Sequence, residues 1–162
     1  MPRHEIEGRL RPAGRVAIVA SRFNEIVTRR LLDGARACCA EAGIEGDRVD
    51  VAWVAGAFEL PVAAAAAAAT GRYACIVALG AVIRGETPHF EYVAGEATRG
   101  LGRVALEYRI PVGFGLLTVN TLEQALARAG GEAGNKGYEA AEAALTTSDA
   151  IAQLRNGRNA AD

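Results

Sequence analysis

Short runs of apolar, often β-branched residues alternate along this chain with segments of helical periodicity. The runs span residues 15–20, 49–54, 75–79 and 112–117, and they show almost no polar alternation. An unbroken apolar run is typical of a strand in a parallel sheet that is covered on both faces. Because helices between the strands would supply that cover, the sequence predicts an α/β fold, a three-layer α/β/α sandwich with a four-stranded parallel sheet.

The segments between the runs carry the signals of helices. In the first segment Val27, Leu31 and Ala35 fall on one face, and Gly43 stands where a C-terminal cap is expected. Thr121 and Gln124 form a capping-box pattern for a later helix. Helices are predicted from Val27 to Gly43, over residues 58–70, 90–108 and 121–129, and from residue 136 towards the C-terminus.

The glycines at 130, 131 and 134 interrupt the helical pattern and predict a bend between the last two helices. The length of 162 residues fits one domain, residues 1–162. Residues 1–14 are too few to fold alone and form an N-terminal arm that is expected to pack on something else. Residues 156–162 are expected to fray.

Composition excludes several classes of protein. The chain has 18 Lys and Arg against 19 Asp and Glu, which lacks the basic excess of a nucleic-acid-binding protein. The N-terminus has no apolar signal core, and the alanine run 63–69 is too short to cross a membrane. Cys38, Cys39 and Cys75 show no metal-binding spacing. We therefore expect a soluble cytoplasmic protein with reduced, buried thiols.

The ends of the predicted strands are where chemistry is expected. Ligands of open parallel sheets bind beyond the carboxyl ends of the strands. In this chain those ends are residues 21–24, 55–60, 80–90 and 118–120. Phe23 beside Asn24 suits a flat heterocycle, and Glu59 suits the hydroxyl groups of a polyol. A core phenylalanine and a helix-start glutamate are the alternative readings.

The segment from Gly80 to Phe90 is the most unusual stretch, because it follows a strand and opens a helix. Backbone amides at such a position can hold a phosphate, and His89 can move protons near neutral pH. The segment matches neither the phosphate loop of nucleoside triphosphatases nor the dinucleotide fingerprint. An ordinary capped turn and a structural histidine are the alternatives; His4 has no polar cluster around it.

These segments, in matching order and spacing, closely resemble the lumazine synthase family. The matching stretches are Arg22-Phe23-Asn24, residues 56–61, residues 80–90, residues 114–120 and Asn135-Lys136-Gly137. The stretch Gly-Glu-Thr-Pro-His-Phe at 85–90 is highly specific, and the resemblance covers about residues 8 to 155. It implies a flavodoxin-like fold and a transferase that condenses 5-amino-6-(D-ribitylamino)uracil with 3,4-dihydroxy-2-butanone 4-phosphate, in the penultimate step of riboflavin biosynthesis.

The resemblance also implies a role for each matching residue. Phe23 would stack on the pyrimidine, and the backbone of Val82 and Ile83 would bind its edges. Ala57 and Glu59 would hold the ribityl chain. The remaining residues of that part of the substrate pocket would be Asn24 and Phe58.

On the phosphate side, the resemblance implies that His89 shuttles protons. Phe114 and Lys136 would close the pocket from the other side, and Phe114 and Arg128 would come from the neighbouring subunit. The residues implied to receive the phosphate are Gly85, Glu86, Thr87 and Arg128.

The resemblance implies no metal and no organic cofactor. It implies two small-molecule substrates and a homo-oligomer, at least a pentamer, with active sites between adjacent subunits; riboflavin synthase is a further candidate partner. In that family a compact bend at residues 129–137, without an insertion that would clash between pentamers, is typical of capsid-forming members, so the resemblance implies an icosahedral capsid, with the free pentamer as the alternative.

Two other classes of function fit part of the pattern. A flavodoxin-like FMN-binding module would share the alternating elements, a phosphate-binding turn and aromatic stacking. A shell protein whose assembly matters more than its chemistry is the structural alternative.

Overall fold

The computed structural model of the protein describes residues 4–157. One parallel sheet has the strand order β2-β1-β3-β4. Its strands are β1 (Arg15–Ser21), β2 (Val49–Val54), β3 (Tyr73–Ile83) and β4 (Val112–Val119). The α-helices of this part of the chain are α1 (Glu25–Glu41), α2 (Leu60–Ala69), α3 (His89–Tyr108), α4 (Leu122–Ala127) and α5 (Lys136–Arg155).

Helices cover both faces of the sheet. Val16 and Ile18 of β1 pack into a core with the side chains of α1 and α5, whereas Val19 packs with those of α2 and α3 on the opposite face. Successive strand residues point to opposite faces, so a strand buried on both faces is apolar throughout. The predicted three-layer α/β/α sandwich with a four-stranded parallel sheet is confirmed.

Helix α5 lies against both α1 and β4 at very short range. A Cβ atom on Gly137 would overlap the carbonyl of Leu31, and one on Gly113 would overlap the carbonyl of Ala140. Glycine at these two positions therefore allows the backbones to approach each other. The packing agrees with a core built mainly from small aliphatic residues.

Strand β3 is longer than the sequence predicted. The predicted strand covers residues 75–79 and ends before Gly80. The strand in fact continues to Ile83, and a Cβ atom on Gly80 would overlap the hydroxyl of Ser21 at the end of β1. Gly80 therefore marks a close approach between two strands and not the end of β3.

The predicted bend between the last two helices is a small antiparallel hairpin. Its strands are β5 (Ala129–Gly131) and β6 (Gly134–Asn135). Gly130 and Gly134 have φ angles of 100° and 83°, in the left-handed region that favours glycine. The side chain of Asn135 then caps α5 by accepting hydrogen bonds from the amides of Gly137 and Tyr138.

The helix-end signals are largely confirmed. Gly43 follows the end of α1 with a φ angle of 82°. The Thr121 hydroxyl accepts a hydrogen bond from the Gln124 amide, at 3.1 Å. The Gln124 side chain, however, accepts from the amide of Asn120, one residue before the position that a strict capping box requires. The predicted helix over 58–70 starts with a 3₁₀ turn, Ala57–Glu59.

The described part of the N-terminal arm packs along α5 of its own chain. The backbone amide of Arg9 donates to the Asp149 carboxylate at 2.8 Å, and Arg11 forms an ion pair with the same carboxylate at 3.3 Å. The Gln153 side chain donates to the carbonyl of Glu7 at 2.9 Å. At the other terminus, Asn156 and Gly157 follow α5, and the rest of the predicted frayed tail lies outside the described residues.

The three cysteines are buried and unpaired, as predicted. Burial raises the pKa of the Cys38 and Cys75 thiols to about 12, so neither thiol ionises near neutral pH. Among the helices of residues 4–157, none has the length and apolar character needed to cross a membrane.

Candidate active site

The carboxyl ends of β1, β2 and β3 open into a pocket of about 730 Å³ beside the start of α3. This is the edge of the sheet at which parallel α/β folds bind ligands. Predicted site residues that line the pocket are Phe23, Ala57, Phe58, Glu59, Val82, Ile83, Gly85, Thr87 and His89. The structure thus brings together three segments that are far apart in the sequence.

The pocket floor includes the end of β3, which extends past the end of β1. Pairing between β1 and β3 stops at Ala20 and Leu79, whereas pairing between β3 and β4 continues to Ile83 and Val119. The Ala81 carbonyl accepts a hydrogen bond on the β1 side, and the Arg84 amide donates on the β4 side. The backbone N–H and C=O groups of successive residues point alternately to the two sides of a strand. Those of Ile83, like those of Ala81, therefore face the gap beyond the end of β1.

Phe23 stands at the mouth of the pocket with 71% of its surface exposed. Its amide donates to the carbonyl of Ala55 at 3.0 Å, which holds the turn after β1 against the end of β2. Asn24 adopts a left-handed conformation, with φ 61°, and its side-chain amide donates to the Ala81 carbonyl at 2.9 Å. The predicted residue Asn24 is therefore not among the lining residues; it joins the turn to β3.

The opposite wall comes from the 3₁₀ turn Ala57–Glu59 at the start of α2. Phe58 is 59% exposed, and Glu59 also lines the pocket. The Glu59 amide donates to the carbonyl of Gly56 at 3.1 Å, which closes the turn. An aromatic ring and a carboxylate acceptor therefore sit on the same wall.

The turn before α3 forms the third wall. Gly85 and Thr87 line the pocket, whereas Glu86 between them is exposed and does not. Pro88 is the N-cap residue of α3, and among the described residues no side chain caps this helix start. The Glu91 amide donates to the Pro88 carbonyl at 3.0 Å, and the amides of His89 and Phe90 remain available to an anion, with the positive end of the helix dipole behind them. The side chain of His89, the first residue of α3, lies beside them.

Three predicted site residues lie away from the pocket of their own subunit. Phe114, in the middle of β4, lines a separate groove of about 660 Å³ between the end of α3 and α5. The guanidinium of Arg128 donates to the carbonyl of Gln124 at the end of α4, at 3.0 Å. Lys136 forms an ion pair with Glu139 at 3.3 Å.

Sequence reasoning missed several residues of the pocket. Tyr92 and Val93 lie three and four positions after His89, so all three share one face of α3. That spacing is visible in the sequence and could have identified them. Four further lining residues lie within the predicted segments 55–60 and 80–90 but had no individual role assigned to them: Ala55, Gly56, Ala81 and Phe90.

No metal site accompanies the pocket in the part of the chain that the structure describes, where no three His, Cys, Asp or Glu side chains come together to hold an ion. The polar groups at the pocket are an imidazole, a carboxylate, a hydroxyl and backbone amides. These groups can bind an anion and a polyol and can transfer protons.

A family model described as 6,7-dimethyl-8-ribityllumazine synthase matches residues 13–152 of the 162. The matched range includes the whole sheet and every residue of the pocket. The match supports the family resemblance seen in the sequence and favours the synthase over the FMN-binding module. The chain therefore belongs to the 6,7-dimethyl-8-ribityllumazine synthase family, whose members are transferases of riboflavin biosynthesis.

Proposed function

We propose that both substrates of this transferase meet in the pocket at the carboxyl ends of β1, β2 and β3. There 5-amino-6-(D-ribitylamino)uracil and 3,4-dihydroxy-2-butanone 4-phosphate condense to 6,7-dimethyl-8-ribityllumazine, with release of phosphate and water. One observation carries the proposal: an exposed aromatic ring, an unpaired strand edge and an uncapped helix start all border one pocket.

The pyrimidine binds between Phe23 and the free edge of β3. The exposed ring of Phe23 offers a stacking surface, and the backbone groups of Ile83 are directed to the gap beyond β1. The resemblance also implies the backbone of Val82, but by the same alternation its groups face β4, so Val82 offers the pyrimidine only apolar contact through its side chain. The ribityl chain runs towards Ala57 and Glu59, where the carboxylate accepts hydrogen bonds from its hydroxyl groups.

The phosphate of the second substrate binds at the start of α3. Backbone amides of Gly85, Glu86 and Thr87 and the Thr87 hydroxyl are the donors, and the helix dipole favours the negative charge. The positive charge of Arg128 from a neighbouring subunit compensates the negative charge of the phosphate. Lys136 lies away from the pocket of its own chain, so in this proposal it reaches the pocket of the neighbour and closes it, with Phe114, from the other side.

The reaction follows from this placement. The pyrimidine amine attacks the ketone, the carbinolamine loses water to give an imine, phosphate leaves by elimination, and the ribityl-bearing nitrogen closes the ring with loss of a second water. His89 lies beside the phosphate turn, where it can carry protons for these steps. Much of the acceleration comes from holding two reactants together, because the amine is already a reasonable nucleophile and phosphate a good leaving group.

The site is completed by a second subunit, for which the surface of the chain gives independent support. Phe23, Phe58 and Tyr92 leave one apolar surface exposed at the pocket. Phe114 and Leu106 leave another exposed on the edge of the sheet formed by β4, with Leu106 82% exposed. Two different surfaces that meet head to tail generate a ring when the rotation between subunits closes. In that ring Phe114 and Arg128 of one subunit would face the pocket of the next.

Replacing His89 tests the proton transfer. We expect His89→Ala to leave both Michaelis constants nearly unchanged and to lower kcat about 10- to 100-fold, the low end of the usual contribution of a general acid or base. His4→Ala, which alters the only other histidine, is the matched control and should keep wild-type kinetics. An unchanged kcat in His89→Ala would mean that His89 transfers no proton in the reaction and is only the first residue of α3.

Replacing Arg128 tests the phosphate site. Only one substrate carries a phosphate, so Arg128→Ala should raise its Michaelis constant roughly 10- to 100-fold, as expected for a lost charge-assisted hydrogen bond. The Michaelis constant of the pyrimidine should change little. Arg72→Ala, an arginine at the amino end of β3, is the control. Equal effects of Arg128→Ala on both substrates would contradict the assignment.

Mixing these two variants tests whether neighbouring subunits share a site. In a ring assembled from equal amounts of His89→Ala and Arg128→Ala subunits, about a quarter of the sites would combine an intact His89 with an intact Arg128. Activity at low phosphosugar concentration should therefore exceed the mean of the two pure variants several-fold. Activity equal to that mean, in particles shown to contain both variants, would place both residues in one subunit.

The compact hairpin of β5 and β6 supports assembly beyond a pentamer. It occupies only residues 129–135 and leaves no insertion that would separate pentamers, so we propose sixty-subunit shells. Electron microscopy near neutral pH should show hollow particles, whereas a homogeneous species of five times 16.9 kDa would contradict the shell. The cytoplasmic location and riboflavin synthase as a partner stay predictions.

A further inference from the structure

We infer that Arg84 is a positioning residue that holds the Gly85–Thr87 turn in the shape that receives the substrate phosphate. The inference rests on the proposed function of that turn. Arg84 is exposed and does not line the pocket. It acts instead by connecting the end of β4 to the first turn of α3, which lie on either side of the turn.

Arg84 is attached to the end of β4 on one side. Its backbone amide donates to the carbonyl of Val119 at 2.8 Å. Its side-chain Nε donates to the Asn120 side-chain oxygen at 3.0 Å. The backbone and the side chain of Arg84 thus fix the start of the turn to the last residue of β4 and to the residue after it.

The same side chain is attached to the first turn of α3 on the other side. Its Nη1 donates to the carboxylate of Glu91, and its guanidinium lies over the ring of Phe90, 4.3 Å from the centroid. The hydrogen bond from Arg84 holds the pKa of Glu91 below its ordinary value, so the carboxylate stays charged at neutral pH. The planar guanidinium therefore serves a carboxylate, an amide oxygen and an aromatic face at once.

The turn between these attachments has little packing of its own. Residues 84–89 are all exposed, and a Cβ atom on Gly85 would meet nothing within 4 Å. The end of β3 and the start of α3 therefore set the path of the turn, and Arg84 fixes the distance between them. An exposed ion pair alone contributes little to stability, so its removal should affect the shape of the turn more than the fold.

The test compares Arg84→Met with Arg72→Met in the assembled enzyme. Arg72 precedes β3 as Arg84 follows it, and its guanidinium also lies over an aromatic ring, that of Tyr73, at 5.4 Å from the centroid. Binding of inorganic phosphate is measured by calorimetry, and both Michaelis constants and thermal unfolding are measured on the same preparations.

We expect Arg84→Met to weaken phosphate binding and to raise the Michaelis constant of the phosphosugar about tenfold each, since small misplacements of binding groups have effects of this order or more. The Michaelis constant of the pyrimidine and the unfolding temperature should stay close to wild type, as should all values for Arg72→Met. Arg84→Lys should be intermediate, because an ammonium can pair with Glu91 but lacks the planar fork that also reaches Asn120.

Each contrary result has a distinct meaning. If wild-type protein binds phosphate and Arg84→Met binds it equally well, the positioning role is wrong and the phosphate turn stands. If Arg84→Met raises both Michaelis constants alike and lowers the unfolding temperature, Arg84 is only structural. If Thr87→Val and Gly85→Pro both bind phosphate as tightly as the wild type does, the turn is not the phosphate site. Both the proposed site and the role of Arg84 then fail.

Discussion

The proposed active site depends on how far β3 extends beyond its neighbour β1. Pairing of the two strands ends at Leu79, but β4 supports β3 as far as Ile83. A strand edge without a partner strand must find other hydrogen-bond partners. Asn24 satisfies the Ala81 carbonyl, and the backbone beyond it is left for a ligand. The same overhang carries the Gly85–Thr87 turn and His89 out to the mouth of the pocket.

Close backbone packing makes this arrangement possible. Gly80 lets β3 pass the buried hydroxyl of Ser21, and Gly113 and Gly137 let α5 lie directly on β4 and α1. Interiors packed with small side chains leave few positions for rearrangement. Phe23, Phe58 and Phe114 are among the large apolar side chains that remain exposed, and the proposal assigns them to substrate and subunit contacts.

The sequence could predict the sheet because each strand is a short, largely apolar run between helical segments. It could also indicate most of the pocket, since Phe23, Glu59 and Thr87 lie in the segments between a strand and the next α-helix. It could not predict the contacts of Asn24 with Ala81, or of Arg84 with Asn120, because these depend on strand order and register. Phe114 and Arg128 were placed by family resemblance alone, since one chain cannot show what its neighbour contributes.

A crystal structure of the assembled protein with the pyrimidine substrate and inorganic phosphate tests the central claim most directly. The account predicts the pyrimidine ring against Phe23 with its edge on the backbone of Ile83, and the phosphate on the amides of Gly85 to Thr87. It also predicts that Phe114 and Arg128 of an adjacent subunit contact these ligands. A pyrimidine bound in the groove beside Phe114 of its own subunit, or a phosphate away from the start of α3, would contradict the account.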